Sequence, residues 1–164
     1  PAEGEATMQT LLMPLLERAE ATASLQGRPW RGPDLWPQWI DQPSQDGTIA
    51  EIVANLLENA FRYSPAGCSV GLCLLPDGLC VWDNGPPIPL EERDLIFERG
   101  ARGSTGQDRA GTGLGLALAR SLAEQQGRKL TLCVEPSTIA PDLPAQGNAF
   151  VLSWPAGARP DPTT

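Results

Sequence analysis

The stretch 49–65, IAEIVANLLENAFRYSP, limits what this chain can become more than any other. Wound at about 3.6 residues per turn it makes a helix with two stripes. Ile49, Ile52, Val53, Leu56, Leu57 and Ala60 fall on one side and form an ordinary core face. Asn55, Glu58, Asn59 and Arg62 follow at i, i+3, i+4 and i+7, within an arc of roughly 100° on the other side. Such a helix must lay its apolar stripe on a sheet or on other helices. Its polar stripe is either a solvated face or one wall of a site, since two amides, an acid and a base in one arc can present metal and phosphate ligands to a single point. Taken alone, a polar stripe is more often a solvated face.

The chain of 164 residues is long enough for one domain with a real core and too short to suggest two. It opens at Pro1 without an initiator Met, which is expected of a piece of a longer protein. The sequence holds no apolar run approaching the length of a membrane span and no signal-peptide pattern, so no membrane contact is expected of this domain. A formal charge of −8 argues against nucleic acid or an anionic membrane as the main partner. An acidic protein that binds an anion must do so locally, through a metal ion, backbone amides or a few placed arginines. Cys68, Cys73, Cys80 and Cys133 show no CxxC spacing, and the chain has no histidine, so the common zinc arrangements are excluded. Three of these cysteines lie in apolar strand-like runs, which predicts reduced core thiols and fits a cytoplasmic compartment.

Residues 7–26 have a helical spacing of Leu11, Leu12, Leu15, Leu16, Ala19 and Ala23. Pro14 either opens that helix or kinks it, and Gly27 is a natural stop. The Pro- and Trp-rich segment 28–45 predicts short strands near 29–31 and 36–40. Thr48 is a plausible N-cap for the two-striped helix, which ends at Pro65-Ala66-Gly67. Segments 69–75 and 79–83 are strands of a hairpin joined by Pro76-Asp77-Gly78. If Leu75 opposes Leu79, then Cys73, Leu79, Val81 and Asp83 share a face. A short helix is expected over 90–99, followed by a polar, glycine-bearing stretch over 100–110. Another helix is expected from Gly111 to Gln126, with Leu114, Leu118 and Leu122 on one face. Strands are expected at 129–135 and 148–154, with a long connection between them. The order of elements predicts a two-layer α/β sandwich, one sheet covered on one face by helices.

Two segments have a chemical as well as a structural reading. In GTGLG, residues 111–115, glycines at a helix start let backbone amides approach an anion. The segment is neither a P-loop nor a dinucleotide fingerprint, and by itself a flexible turn explains it as well. In DNGPPIP, residues 83–89, an acid at the end of an apolar strand face can accept a hydrogen bond from an amino group such as that of adenine; the plain alternative is an Asn-Gly turn. Arg99, Arg102 and Arg109 flank the glycine stretch in a chain with 12 basic residues, which suggests a lid closing over phosphates or else ordinary surface solubility.

Taken in order, these segments resemble the catalytic, ATP-binding domain of sensor histidine kinases, within the family of gyrase, Hsp90, histidine kinase and MutL-type ATPases. NLLENAFRYSP resembles that family's asparagine box, DNGPPIP its first glycine box, IFERG its phenylalanine box and GTGLGLALAR its second glycine box, while GNAFVLSWP is similar to its closing strand. The resemblance runs from about residue 50 to 155. It implies a Bergerat fold with a mixed, mostly antiparallel sheet. Residues 1–10 would be a leader from an upstream dimerisation and phosphoacceptor domain, 11–158 the catalytic domain and 159–164 a tail.

The resemblance further implies ATP and Mg²⁺ as ligands, with Asn59 on the metal and Asn55 near the phosphates. Arg62 and Tyr63 would touch phosphate and nucleotide, Asp83 the adenine amine, and Gly85 and Ile88 the base pocket. Gly111, Thr112, Gly113, Leu114, Gly115 and Leu116 would cradle the phosphates, with Arg102 reaching in from the lid. Glu58 would help activate an attacking imidazole. With no histidine in the chain, the acceptor lies elsewhere, and a response regulator, a homodimeric full-length protein and a monomeric isolated domain are expected. Two departures stand out: Pro87 replaces a usual glycine in the first glycine box, and Ala110 stands where a further glycine is common. They keep open a nucleotide-binding or interaction module without kinase activity; a serine kinase of the anti-sigma-factor type, which shares the fold and the asparagine box, is the other alternative.

Overall fold

A computed structural model describes residues 6–43, 47–98 and 115–154. The chain opens with helix α1, Met8–Gln26, capped reciprocally by Thr7 and Thr10: Thr7 Oγ1 accepts from the Thr10 amide at 3.3 Å, and Thr10 Oγ1 from the Thr7 amide at 2.9 Å. Gly27, at φ 66°, closes it in the left-handed conformation. Pro14 lies beyond the first turn with its ring exposed. Strand β1, Trp30–Arg31, follows, and then helix α2, Thr48–Tyr63, the two-striped segment. Strands β2, Val70–Leu75, and β3, Gly78–Asp83, form the hairpin. Helix α3 spans Gly115–Gln125, and strands β4, Lys129–Cys133, and β5, Asn148–Ser153, end the described chain.

The strands form one sheet in the order β1-β2-β3-β5-β4, with β1 parallel to β2 and every other pair antiparallel. The three helices cover one face, as expected. Ile49, Ile52, Val53 and Leu56 of α2 are essentially inaccessible and join Leu12 and Leu16 of α1, Val70 and Leu72 of β2, Leu79 and Val81 of β3, and Phe150 and Leu152 of β5 in one core. At the end of the sheet, Trp39 and Trp154 pack edge to face at 5.1 Å. The other face is not bare. Cys80, Trp82, Ala149 and Leu143 form a second cluster, roofed by Ile139 and Ala140 of the β4–β5 connection, which holds a 3₁₀ turn at Pro136–Thr138. Every residue of β3 is therefore buried.

The structure corrects five local expectations. The hairpin closes with Leu75 opposite Gly78, one residue tighter than predicted, so Cys73 pairs with Cys80 on the second face, away from Leu79, Val81 and Asp83. Gly78 belongs to the strand because a Cβ there would lie 2.3 Å from the Leu152 carbonyl oxygen, an approach open only to glycine. Segment 36–40 is not a strand: a 3₁₀ turn, Gln38–Asp41, buries the consecutive residues Trp39 and Ile40, which an alternating strand would send to opposite faces. The Trp39 indole N–H donates to the Leu75 carbonyl at 2.7 Å. Within 90–99 the described residues form two 3₁₀ turns, Leu90–Glu92 and Leu95–Phe97, neither with a side-chain cap, and Leu90 and Leu95 stay exposed. Gly47 rather than Thr48 is the N-cap of α2, without a side-chain bond, so Thr48 is already helical. Finally, α3 buries Leu116, Ala119 and Ala123, while Leu118 faces outward at 45% exposure. The small Ala residues, not the Leu series, set the close approach of α3 to its neighbours.

Candidate functional site

The C-terminal end of β3 carries a carboxylate where the sheet is otherwise apolar. Asp83 is 5% exposed, opposite Val70 of β2 and Asn148 of β5. Its Oδ1 accepts from the Gly85 amide at 2.9 Å and from Asn148 Nδ2 at 3.4 Å. Burial pushes the Asp83 carboxyl above its ordinary pKa; the Gly85 amide, the Asn148 side chain and the nearby Arg28 charge oppose that rise without cancelling it. A Cβ at Gly85 would fall 3.0 Å from both Asp83 Oδ1 and Pro65 Cδ, so glycine allows the turn to fold between the strand end and the end of α2.

Asn148 was not singled out from the sequence. Its Oδ1 accepts from the Ile88 amide at 2.8 Å, and its Nδ2 donates to the Pro86 carbonyl at 2.9 Å as well as to Asp83. The amide side chain thus clamps the turn on both sides of Pro87, whose ring is exposed and whose missing N–H is not needed there. Behind it, a Cβ on Gly147 would lie 2.1 Å from the Asp83 carbonyl oxygen. An Asn after a glycine at the start of the last strand was the available signal.

Arg28 was also missed. It is 6% exposed, and its Nε donates to the Cys68 carbonyl at 2.8 Å, its Nη1 to Phe61 O at 3.4 Å and its Nη2 to Ser64 Oγ. Its guanidinium also lies 5.6 Å from the centre of the Phe61 ring. One buried arginine therefore ties the end of α2 to the segment facing Gly85.

The polar stripe of α2 is divided by its surroundings. Asn55 and Asn59 are half-buried; Asn55 Nδ2 donates to Glu51 O at 3.1 Å, and a Cβ on Gly115 would come 3.8 Å from Asn55 Oδ1. The first residue of α3 thus stands against the asparagine side of the stripe. Glu58 and Arg62 pair with each other at 3.2 Å and line a cleft of about 470 Å³ between α1 and α2, with Leu15, Arg18 and Phe61. Tyr63 and Ile88 are half-buried, Ile88 against the core, and Leu116 lies within the core. Arg102, Gly111, Thr112, Gly113 and Leu114 lie outside the described residues, as do Arg99, Arg109 and Ala110.

Among the described residues, no group of three or more His, Cys, Asp or Glu could hold a metal ion. The half-buried amides on the α2 stripe instead suit a hard cation that takes one protein oxygen and fills its other positions from phosphate and water. No helix among the described residues is long and apolar enough to cross a membrane.

The family described as "Histidine kinase-, DNA gyrase B-, and HSP90-like ATPase" matches residues 45–158. The chain is 35% identical over 159 residues to the sensor histidine kinase Hik2 of Thermosynechococcus vestitus, covering 92% of this chain and 39% of that protein. It is 34% identical over 121 residues to the sensor protein KdpD of Escherichia coli, covering 71% of this chain and 13% of KdpD. Among solved structures, the mycobacterial sensor histidine kinase MprB is similar at TM-score 0.63 and 26% identity, covering 86% of this chain and 93% of that one. The catalytic domain of histidine kinase ThkA matches in fold at TM-score 0.68 and 21% identity, covering 93% of this chain and 96% of that one. The chain spans about two fifths of the length of Hik2.

Proposed function

This chain belongs to the histidine kinase-, DNA gyrase B- and HSP90-like ATPases, and on that footing we propose that it binds Mg·ATP and passes the γ-phosphoryl group to a histidine outside this chain. That histidine sits on a dimerising helical domain upstream, in a protein that is a homodimer at full length and holds this domain in the cytoplasm, and the phosphoryl group moves on to an aspartate of a response regulator. The catalytic piece by itself is a monomer.

The observation that carries this reading is the buried carboxylate of Asp83, held by Gly85 and Asn148 at the rim of the sheet. An acid kept this dry is matched by a ligand N–H such as the exocyclic amine of adenine. Ile88 and Gly85 bound the base. Asn55 and Tyr63 face the phosphate side, and Asn59 offers its amide oxygen to the metal. Mg²⁺ held there by Asn59 would supply charge neutralisation at the phosphates of the donor. The chain's own residues position the donor, since a loose phosphoryl-transfer transition state needs orientation more than covalent help. Glu58, exposed and leaning on Arg62, is the residue assigned to orient the attacking imidazole and take its proton.

Calorimetry with Mg·ATP tests the reading. Saturable binding by the wild type and about tenfold weaker Mg-dependent binding by Asn59→Ala are expected, and strong autophosphorylation of this chain alone would contradict an external acceptor. Names of the relatives and the IFERG segment speak against an anti-sigma-type serine kinase. The reading of a module without kinase activity rested on Pro87 and Ala110, and the clamp across Pro87 by Asn148 weakens the first of these. Failure of the wild type to bind Mg·ATP would restore it.

A further inference from the structure

The sheet face turned away from the helices carries three thiols that nucleotide chemistry does not use, Cys73, Cys80 and Cys133, and two of them face each other. Cys73 of β2 and Cys80 of β3 are direct cross-strand partners, and both are free. Opposed residues of an antiparallel pair have α-carbons about 4.5 or 5.5 Å apart, according to the pair type. Both separations lie inside the roughly 4.4–6.8 Å that a disulfide spans. The two differ in access. Cys80 is fully buried, whereas Cys73 is half-buried and lines a cleft of about 230 Å³ with Arg31, Trp82, Pro76 and Leu143.

They also differ in chemistry. The neighbouring Cys80 thiol lowers the Cys73 pKa, and the Arg31 charge acts in the same direction, against burial and the charges of Asp142 and Asp34. The same contact, with burial, pushes the Cys80 thiol up. The more accessible sulfur is thus the more readily ionised one, and the buried sulfur is held against it as a thiol.

We infer that Cys73 and Cys80 form an oxidation site for small hydroperoxides, with Cys73 the attacking and Cys80 the resolving thiol. The Cys73 thiolate attacks the terminal oxygen of ROOH; the O–O bond breaks, and ROH leaves after taking a proton, which makes the Cys73 sulfenic acid. The Cys80 sulfur then attacks that sulfur, its proton leaves with the hydroxyl as water, and a disulfide forms. Two electrons pass from the thiol pair to the peroxide. In a reducing compartment such a bond is transient and reversed by dithiols.

The test is to treat the reduced protein with hydrogen peroxide, count remaining thiols and map the products by mass. Expected are loss of two of the four thiols, a mass lower by two hydrogens, a Cys73–Cys80 cross-linked peptide and full reversal by dithiothreitol. In Cys80→Ser the reaction is expected to stop at a dimedone-reactive Cys73, and Cys73→Ser is expected to lose the fast phase. Four persisting thiols would overturn the assignment, as would sulfinic acid at Cys73 without a cross-link, a link between chains, or oxidation confined to Cys68 or Cys133. The wild-type peptide map decides even if a serine variant fails to fold.

Discussion

The strand end around Asp83 and the polar stripe of α2 are two halves of one proposed site, and they are built on opposite plans. Around Asp83 the contacts are fixed by the chain: Gly85 on the carboxylate, Asn148 on three neighbours, and Gly147 pressed beneath the Asp83 carbonyl. On α2, the asparagines are half-buried, and Glu58 and Arg62 lean on each other at the surface. In the proposed site the half assigned to the base is thus held by fixed contacts, while the half assigned to phosphate and metal relies on its ligands for completion. The difference predicts that lesions breaking the packing or the Asn148 clamp at the strand end strike fold and affinity together, that a lesion of the Asp83 charge strikes affinity alone, and that lesions on the stripe strike affinity or chemistry alone.

The sharpest break should come from Gly147→Ala, whose methyl would meet backbone at 2.1 Å. A loss of about 3 kcal/mol or more in denaturant unfolding is expected. Next, Asp83→Asn should weaken ATP binding about 100-fold by calorimetry, since a charge-assisted hydrogen bond is lost. The same change should leave apo stability at neutral pH equal or higher, because it removes a buried charge. The sign follows from the raised pKa of Asp83. Between its unfolded and its higher folded pKa the native state holds a proton that the unfolded chain has released. Stability conferred by that proton is complete below the unfolded pKa and is lost as pH rises through the folded one. Asp83→Asn flattens that slope, and ATP affinity of the wild type falls as pH drops through the same window.

Asn148→Ala ranks third, at about 2 kcal/mol of stability, because it strands the Ile88 amide and the Pro86 carbonyl. It should lower melting temperature and nucleotide affinity together. On the stripe, Asn59→Ala should cost about tenfold in Mg-dependent affinity with an unchanged melting temperature. A matching loss of stability there would erase the contrast. Smallest is Glu58→Gln, which removes an exposed helical ion pair and should move stability by less than about 0.5 kcal/mol, while phosphoryl transfer to a supplied histidine domain falls.

The sequence was readable where a signal is local. The 3.6-residue period of α2, the turn chemistry of Pro76-Asp77-Gly78 and the glycine stop at Gly27 placed those elements within a residue or two. It was not readable where the deciding atom lies far along the chain. The hairpin register depends on Gly78 meeting β5, and Asn148 gains its role from backbone groups some sixty positions earlier. The β4–β5 connection is a third case. The sequence predicts only a long connection there, yet it roofs the second sheet face. A trace of that was present, since the run LCVW in β3 is apolar at both alternations, as strands buried on two faces are. Of the proposed site, Asp83, Gly85, Asn55 and Asn59 could be named as candidates because each sits in a contiguous motif, whereas Arg28 lies outside all of them.

The edge-to-face pair of Trp39 and Trp154 has an optical consequence. Two indoles with ring centres 5.1 Å apart couple their electronic transitions, so this end of the sheet should carry a circular-dichroism couplet of its own. That colourless label sits away from Asp83 and needs no attached dye. With it, a variant whose base pocket has loosened could be told by light alone from one whose sheet has come apart.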